Sequence, residues 1–217
     1  MTKKYTNIKK IIVPNKKINL FVISILFLGV IAGGIYTNII GINDKNLVID
    51  KIKMFIDNVN GNSLKTLLVF KNSISVNFLY IFIIWILGMS LVGIIFNILL
   101  LFIKGFIFGF SIASFIATYG AKGIILSLIY LLFGQLLNIV VIIILTIYSI
   151  MISIKLISVI FKKMTNGDIL PFFKKYIIIL IICIVVSLIS SVFETFLLPS
   201  LIKLIVRLYI WCICKVN

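Results

Sequence analysis

Long uncharged stretches alternate with short lysine-rich ones along this chain, and the alternation predicts its elements. Ile18 to Gly41 runs 24 residues without a charge, and about 20 apolar residues in helical geometry cross the hydrocarbon core of a bilayer. A first membrane helix is therefore expected over about 18–42. A signal peptide would have an apolar region of only about 7–15 residues, so the stretch reads as an uncleaved anchor. Residues 43–72 form the one extended polar stretch, with Asp44, Asp50 and Asp57 beside five lysines. Within it Val48, Ile52, Phe55, Ile56 and Val59 recur at helical spacing opposite Asp50, Lys53 and Asp57, and Gly61 supplies a stop. This predicts an amphipathic helix in the loop. Ser73 to Ile103 gives 31 uncharged residues, read as a second helix over about 74–103 with Asn97 and Lys104 at its far end. A short third helix follows over 105–119, then a tight turn at Tyr119-Gly120-Ala121-Lys122-Gly123. A fourth helix covers 124–154, broken near Gly134-Gln135, and a fifth covers 176–198, ending before Pro199.

The predicted fold is thus an all-α integral membrane protein, a bundle of five transmembrane helices with an external amphipathic helix. One membrane domain spans 18–205, after a basic cytoplasmic amino terminus (1–17) and before a tail (206–217). Composition agrees: 63% of the 217 residues are hydrophobic and 12% charged, with a mean hydropathy of +1.32, which excludes a water-soluble fold. The charge is lopsided, 21 Lys plus Arg against 5 Asp plus Glu. The cations sit in juxtamembrane clusters, which fits membrane topology and anionic lipid headgroups and argues against nucleic acid as a partner. The amino-terminal lysines and those flanking 161–175 fall on one side of five spans. The positive-inside rule makes that side cytoplasmic and places 43–72 and the carboxyl terminus outside.

The residue inventory also limits chemistry. There is no histidine, so imidazole bases, Ser-His nucleophiles and ordinary zinc or haem ligation are absent. Cys183, Cys212 and Cys214 give no disulfide framework. Gly109-Phe110-Ser111-Ile112-Ala113 lacks the last glycine and the strand context of a nucleophile elbow, and Lys104, read at a helix end, is expected to snorkel toward headgroups. No catalytic, cofactor or metal site is expected. Glu194 is the one acid inside a predicted span, costly unless paired. Gln135 and Asn138 read as interhelical hydrogen-bonding groups. Gly29-xxx-Gly33, and Gly105, Gly109, Ala113 and Ala117 at four-residue spacing, form stripes that let backbones approach, within one bundle or through self-association. Gly88 and Gly93 join the packing candidates, while Glu194, Pro199, Lys104 and Gln135 are candidates for assembly or a partner.

Several segments occur together in an order that is itself informative. They are Leu28-Gly29-Val30-Ile31-Ala32-Gly33, Trp85-Ile86-Leu87-Gly88-Met89-Ser90 with Gly93, and Phe102-Ile103-Lys104-Gly105 with Gly109-Phe110. Gly120 with Gly123, Pro171-Phe172-Phe173-Lys174, and Phe193-Glu194 with Pro199 complete the series. Over about residues 18–205 the chain resembles the stage II sporulation protein M family. One departure is that the family has Pro before and Asn after the Gln of the fourth helix, where this chain keeps only Gln135. The resemblance implies a multi-pass membrane protein of the mother-cell septal and engulfing membrane of spore-forming bacteria. Such a protein carries no reaction and acts as a scaffold that anchors the peptidoglycan-remodelling stage II sporulation proteins D and P. The competing expectation is a small channel or transporter, in which Glu194, Lys104 and Gln135 would converge on a midplane cavity formed by broken helices.

Overall fold

A computed structural model of the chain describes residues 16–61, 65–162 and 170–204, and every regular element among them is helical. Five helices are long and apolar enough to cross a membrane. The elements in chain order are α1 (Lys16–Ile39), α2 (Ile42–Asn60), α3 (Thr66–Gly88), α4 (Gly93–Tyr119), α5 (Ala121–Ile129), α6 (Leu136–Lys162) and α7 (Leu170–Val192). A π-helical turn, Tyr130–Gln135, joins α5 to α6, and a second, Phe193–Leu197, follows α7 before helix resumes to Leu204. The amino-terminal segment and the tail, with Cys212 and Cys214, lie outside the described residues.

Packing follows from side-chain size. A Cβ added at Gly109 would fall on the Val30 carbonyl, and one at Gly33 on the Phe106 carbonyl. One at Gly105 would lie 2.5 Å from the Leu26 carbonyl oxygen and 3.4 Å from Gly29 Cα. Residue numbers rise together along both helices, so α1 and α4 run parallel with their backbones in contact, which only glycine permits. Ala113 is half-buried and Ala117 exposed, because beyond Gly109 the buried face of α4 passes to Ser114 and Phe115. At the centre lies α6, packed against α1, α3, α4 and α7. Its Val141, Ile142, Leu145 and Ile152 form the core with Ile81, Ile84, Leu101, Tyr176 and Ile179. Outward-facing Leu20, Phe27, Ile95 and Ile181 suit a surface solvated by lipid chains.

Three expected boundaries are corrected. The apolar run 74–103 is not one helix: α3 ends at Gly88, and α4 begins at Gly93 and passes unbroken through Asn97, Lys104 and Gly105. Ser90, Leu91 and Val92 of the turn are exposed, while its two ends are held from inside the bundle. Ser153 of α6 donates to the Gly88 and Ser90 carbonyls at 3.0 and 3.1 Å, and a Cβ at Gly93 would strike the Leu87 carbonyl. These bonds satisfy carbonyls that a helix end would leave bare in lipid. Second, α3 starts at Thr66, so 66–72 belong to a span and not to the polar loop. Third, Pro199 does not end the last helix, since the span continues from Pro171 to Leu204. Proline has no N–H and its ring crowds the preceding turn; the π-helical turn just upstream takes up that misfit.

The polar stretch after α1 does contain a helix. Along α2, Ile56 and Val59 are buried against Phe115, Leu126, Leu198 and Ile202, while Asp44, Asp50, Lys51, Lys53 and Asp57 are exposed. Gly61 closes it, donating its N–H to the Asp57 carbonyl at 2.8 Å.

Candidate functional site

Several polar residues of the spans gather around Glu194. Glu194 lies in the second π-helical turn and Gln135 ends the first. Gln135 Nε2 donates to Glu194 Oε1 at 2.9 Å, and Ser73 Oγ of α3 donates to Glu194 Oε2 at 2.6 Å. Behind Ser73, Asn77 Nδ2 donates to Ser191 Oγ at 3.3 Å. Lys104 lies near the middle of the 27-residue α4, with its Nζ 4.8 Å from the centre of the Tyr80 ring, and its charge acts on the Glu194 carboxylate at longer range. Tyr130 reaches the side chains of Ser111 and Gln135 from the first π-helical turn.

Each member solves a problem set by the medium. A carboxylate or an ammonium alone in the apolar interior is expensive, and together with good donors their attraction offsets most of that cost. A π-helical turn inserts a residue into the helical register. Such turns carry both Gln135 and Glu194, the two groups that hydrogen-bond each other. The two hydrogen bonds to the carboxylate come from the Ser73 hydroxyl and the Gln135 amide, an arrangement that holds an anion. Among the described residues no set of three His, Cys, Asp or Glu could hold one.

Beside the cluster opens a cleft of about 310 Å³. Glu194, Tyr130 and Lys203 stand in its wall with Phe55 and Val59 of α2 and Thr66 of α3. A second cavity of about 410 Å³ lies between α2 and α4 and shares Phe55 and Tyr130 with the first. Both clefts thus lie against α2.

The expected site residues separate into two groups. Gly29, Gly33, Gly105 and Gly109 lie in the α1–α4 seam, Ala113 is at its fringe and Ala117 outside it. Gly88 lies under α6 and α7, where a Cβ would meet Tyr176 Oη and Ser149 Oγ, and Gly93 forms the α3–α4 turn. Glu194 and Gln135 meet and Lys104 senses Glu194 only through its charge, while Pro199 shares the cleft wall without a polar role. Lys104 is not at a helix end, as expected of a snorkelling lysine, because the true break lies upstream at Met89–Val92. Asn97 is likewise interior, fully buried and donating to Ser149 Oγ. Asn138 is buried, but its Nδ2 finds no partner among the described residues. The sequence reading missed Ser73, Asn77, Ser191 and Tyr130. Ser187, Ser191, Glu194 and Thr195 do fall on one helical face, and that spacing was available as a signal.

Fold and site together define a multi-pass membrane protein whose spans are joined by a half-buried hydrogen-bonded cluster around Glu194. The chain belongs to the stage II sporulation protein M family, whose model matches residues 20–199. No curated protein matches the chain, and no solved structure does.

Proposed function

We propose that this protein is a non-enzymatic scaffold of the engulfment machinery that recruits the peptidoglycan-remodelling stage II sporulation proteins D and P at the mother-cell septal membrane. The observation that carries this reading is the mounting of α2. Its apolar stripe is fixed to α4 and to the last helix, so Asp44, Asp50, Lys51, Lys53 and Asp57 form a rigid, mixed-charge face. Such a face positions a protein partner with little ordering cost. Family membership supports the sporulation role. The test is affinity capture from sporulating cells. The wild type should retain the hydrolases, and a variant with Asp44, Asp50 and Asp57 changed to Asn and Lys51 and Lys53 to Gln should retain less than about a tenth as much, at equal membrane level. Equal capture by both would refute the assignment.

The proposal places α2 outside and the amino terminus in the cytoplasm. In a chain freed of Cys183, Cys212 and Cys214, cysteine at Asp50 should react with an impermeant maleimide in intact cells, and cysteine at Lys174 only after permeabilisation. The reverse pattern would invert the topology.

A second reading, a small transporter, is favoured by one observation: Glu194 and Gln135 converge at two broken helices beside a cleft. The hydrogen bonds that tie Glu194 to α3 through Ser73 and to the first π-helical turn through Gln135 favour assembly instead. Purified protein in liposomes with a pH-sensitive dye should show no proton or cation flux above empty vesicles. A flux that Glu194→Gln abolishes would establish transport.

A further inference from the structure

At the opposite end of the bundle from α2, the end of α6 and the start of α7 build a second feature that the scaffold role does not use. Lys155 Nζ lies 3.2 Å from the centre of the Phe172 ring, and Lys175 Nζ lies 5.8 Å from the same centre. Two ammonium groups thus crowd one ring, and no acid stands in the first turn of α7. Two ammonium groups 3.2 and 5.8 Å from one ring centre in a medium of reduced dielectric repel each other, and an anion that joins them relieves the repulsion. Directly beside them a groove of about 250 Å³ is lined by Met89, Leu156, Phe172 and Phe173, with Lys155 at its edge.

We infer that Lys155, Lys175 and this groove form a binding site for one anionic phospholipid, its phosphate between the two ammonium groups and an acyl chain in the groove. Charge complementarity selects an anion, and the apolar walls select one that carries a chain. The location fits as well. Both lysines lie near helix ends, in the last turns of α6 and the first turns of α7, the depth at which a headgroup sits when its chains extend inward. By the positive-inside assignment this is the cytoplasmic leaflet, where juxtamembrane lysines attract anionic headgroups. The Met89–Val92 turn borders the groove, so a bound lipid would also cover the point where α3 passes into α4.

The test uses the full chain purified in neutral detergent and titrated with fluorescent phosphatidylglycerol, with fluorescent phosphatidylcholine and unlabelled inorganic phosphate as comparison probes. Phosphatidylglycerol should bind saturably, phosphatidylcholine at least tenfold more weakly, and millimolar phosphate should not displace the lipid. Lys155→Gln with Lys175→Gln should weaken phosphatidylglycerol binding about twenty- to thirtyfold, since each lysine near a membrane surface contributes about fivefold. Lys45→Gln with Lys53→Gln on α2 removes the same charge and should leave binding unchanged. Leu156→Trp keeps both lysines but fills the groove, and should weaken binding at least tenfold while the protein elutes as the wild type does. Equal loss in both lysine pairs would reduce the effect to net charge and overturn the site. Displacement by phosphate would make it a site for a free anion, and full binding by Leu156→Trp would remove the acyl chain from the groove. Either result contradicts the proposal, as does an absence of saturable binding.

Discussion

Gly109→Leu should all but abolish folded protein, whereas Gly34→Leu, five residues from Gly29 on the same helix as Val30, should leave its level unchanged. The two substitutions add the same side chain to helices of the same bundle, and what differs is the space that receives it. At Gly109 even a Cβ falls on the Val30 carbonyl, while at Gly34 nothing lies within 4 Å. The obstacle at Gly109 is backbone, which cannot rotate aside as a side chain does, so α1 and α4 must separate along their whole parallel contact. Overpacking typically costs about 1 to 3 kcal/mol, and the backbone clash puts this case at the upper end or beyond. That is a large share of the roughly 5–15 kcal/mol that holds a typical domain together. At Gly34 the leucine meets only the medium around the bundle. Size-exclusion profiles and thermal melts in detergent should separate the pair clearly; equal behaviour would mean that α1 and α4 are not in backbone contact.

Glu194→Gln and Lys104→Met should each destabilise the bundle, and the double variant should recover part of the loss. Gln keeps the volume and a hydrogen-bonding carbonyl, so the single change removes mainly the negative charge that the Lys104 ammonium senses. Breaking a fully buried ion pair costs roughly 3–5 kcal/mol, largely because the survivor is stranded; Glu194 and Lys104 are half-buried and act on each other through charge alone, so each single loss should fall below that range. The coupling read from the double-mutant cycle should be favourable and above the ~0.5 kcal/mol within which independent sites add. Purely additive losses would show that the carboxylate and the ammonium do not sense each other. The double variant also separates the two functional readings. A bundle held together by the pair should regain hydrolase capture with its stability, whereas a pathway that moves ions through Glu194 would refold without regaining transport.

How much of this was visible in the sequence depends on whether the physical cause was local. Five apolar stretches announced five helices, because span length is set by the bilayer and is readable residue by residue. The helix of α2 was equally plain, with Ile52, Phe55, Ile56 and Val59 on one face and its acids on the other. The α3–α4 turn was hidden inside an uninterrupted apolar run. The group that makes the turn tolerable, Ser153, lies on a different helix, and a turn whose one polar residue is Ser90 sends only a weak local signal. That single omission displaced Lys104 from the interior to a helix end. The sequence marked Glu194 as an acid in need of a partner, but Ser73 and Gln135 lie far from it along the chain. Only the tertiary arrangement makes them neighbours. Pro199 was read as a stop because proline breaks an α-helix; Phe193–Leu197 absorbs the missing hydrogen bond by changing the helix type.

The most direct measurement of the scaffold role is photo-crosslinking in sporulating cells from single positions on α2. A photoreactive residue at Asp50 or Lys53, both on the exposed face, should yield adducts containing stage II sporulation protein D or P, while the same residue at outward-facing Ile95 of α4 should yield none. Hydrolase adducts from Ile95 but not from Asp50 or Lys53, or no hydrolase adduct from any position while engulfment proceeds normally, would contradict a scaffold that presents its partners on α2.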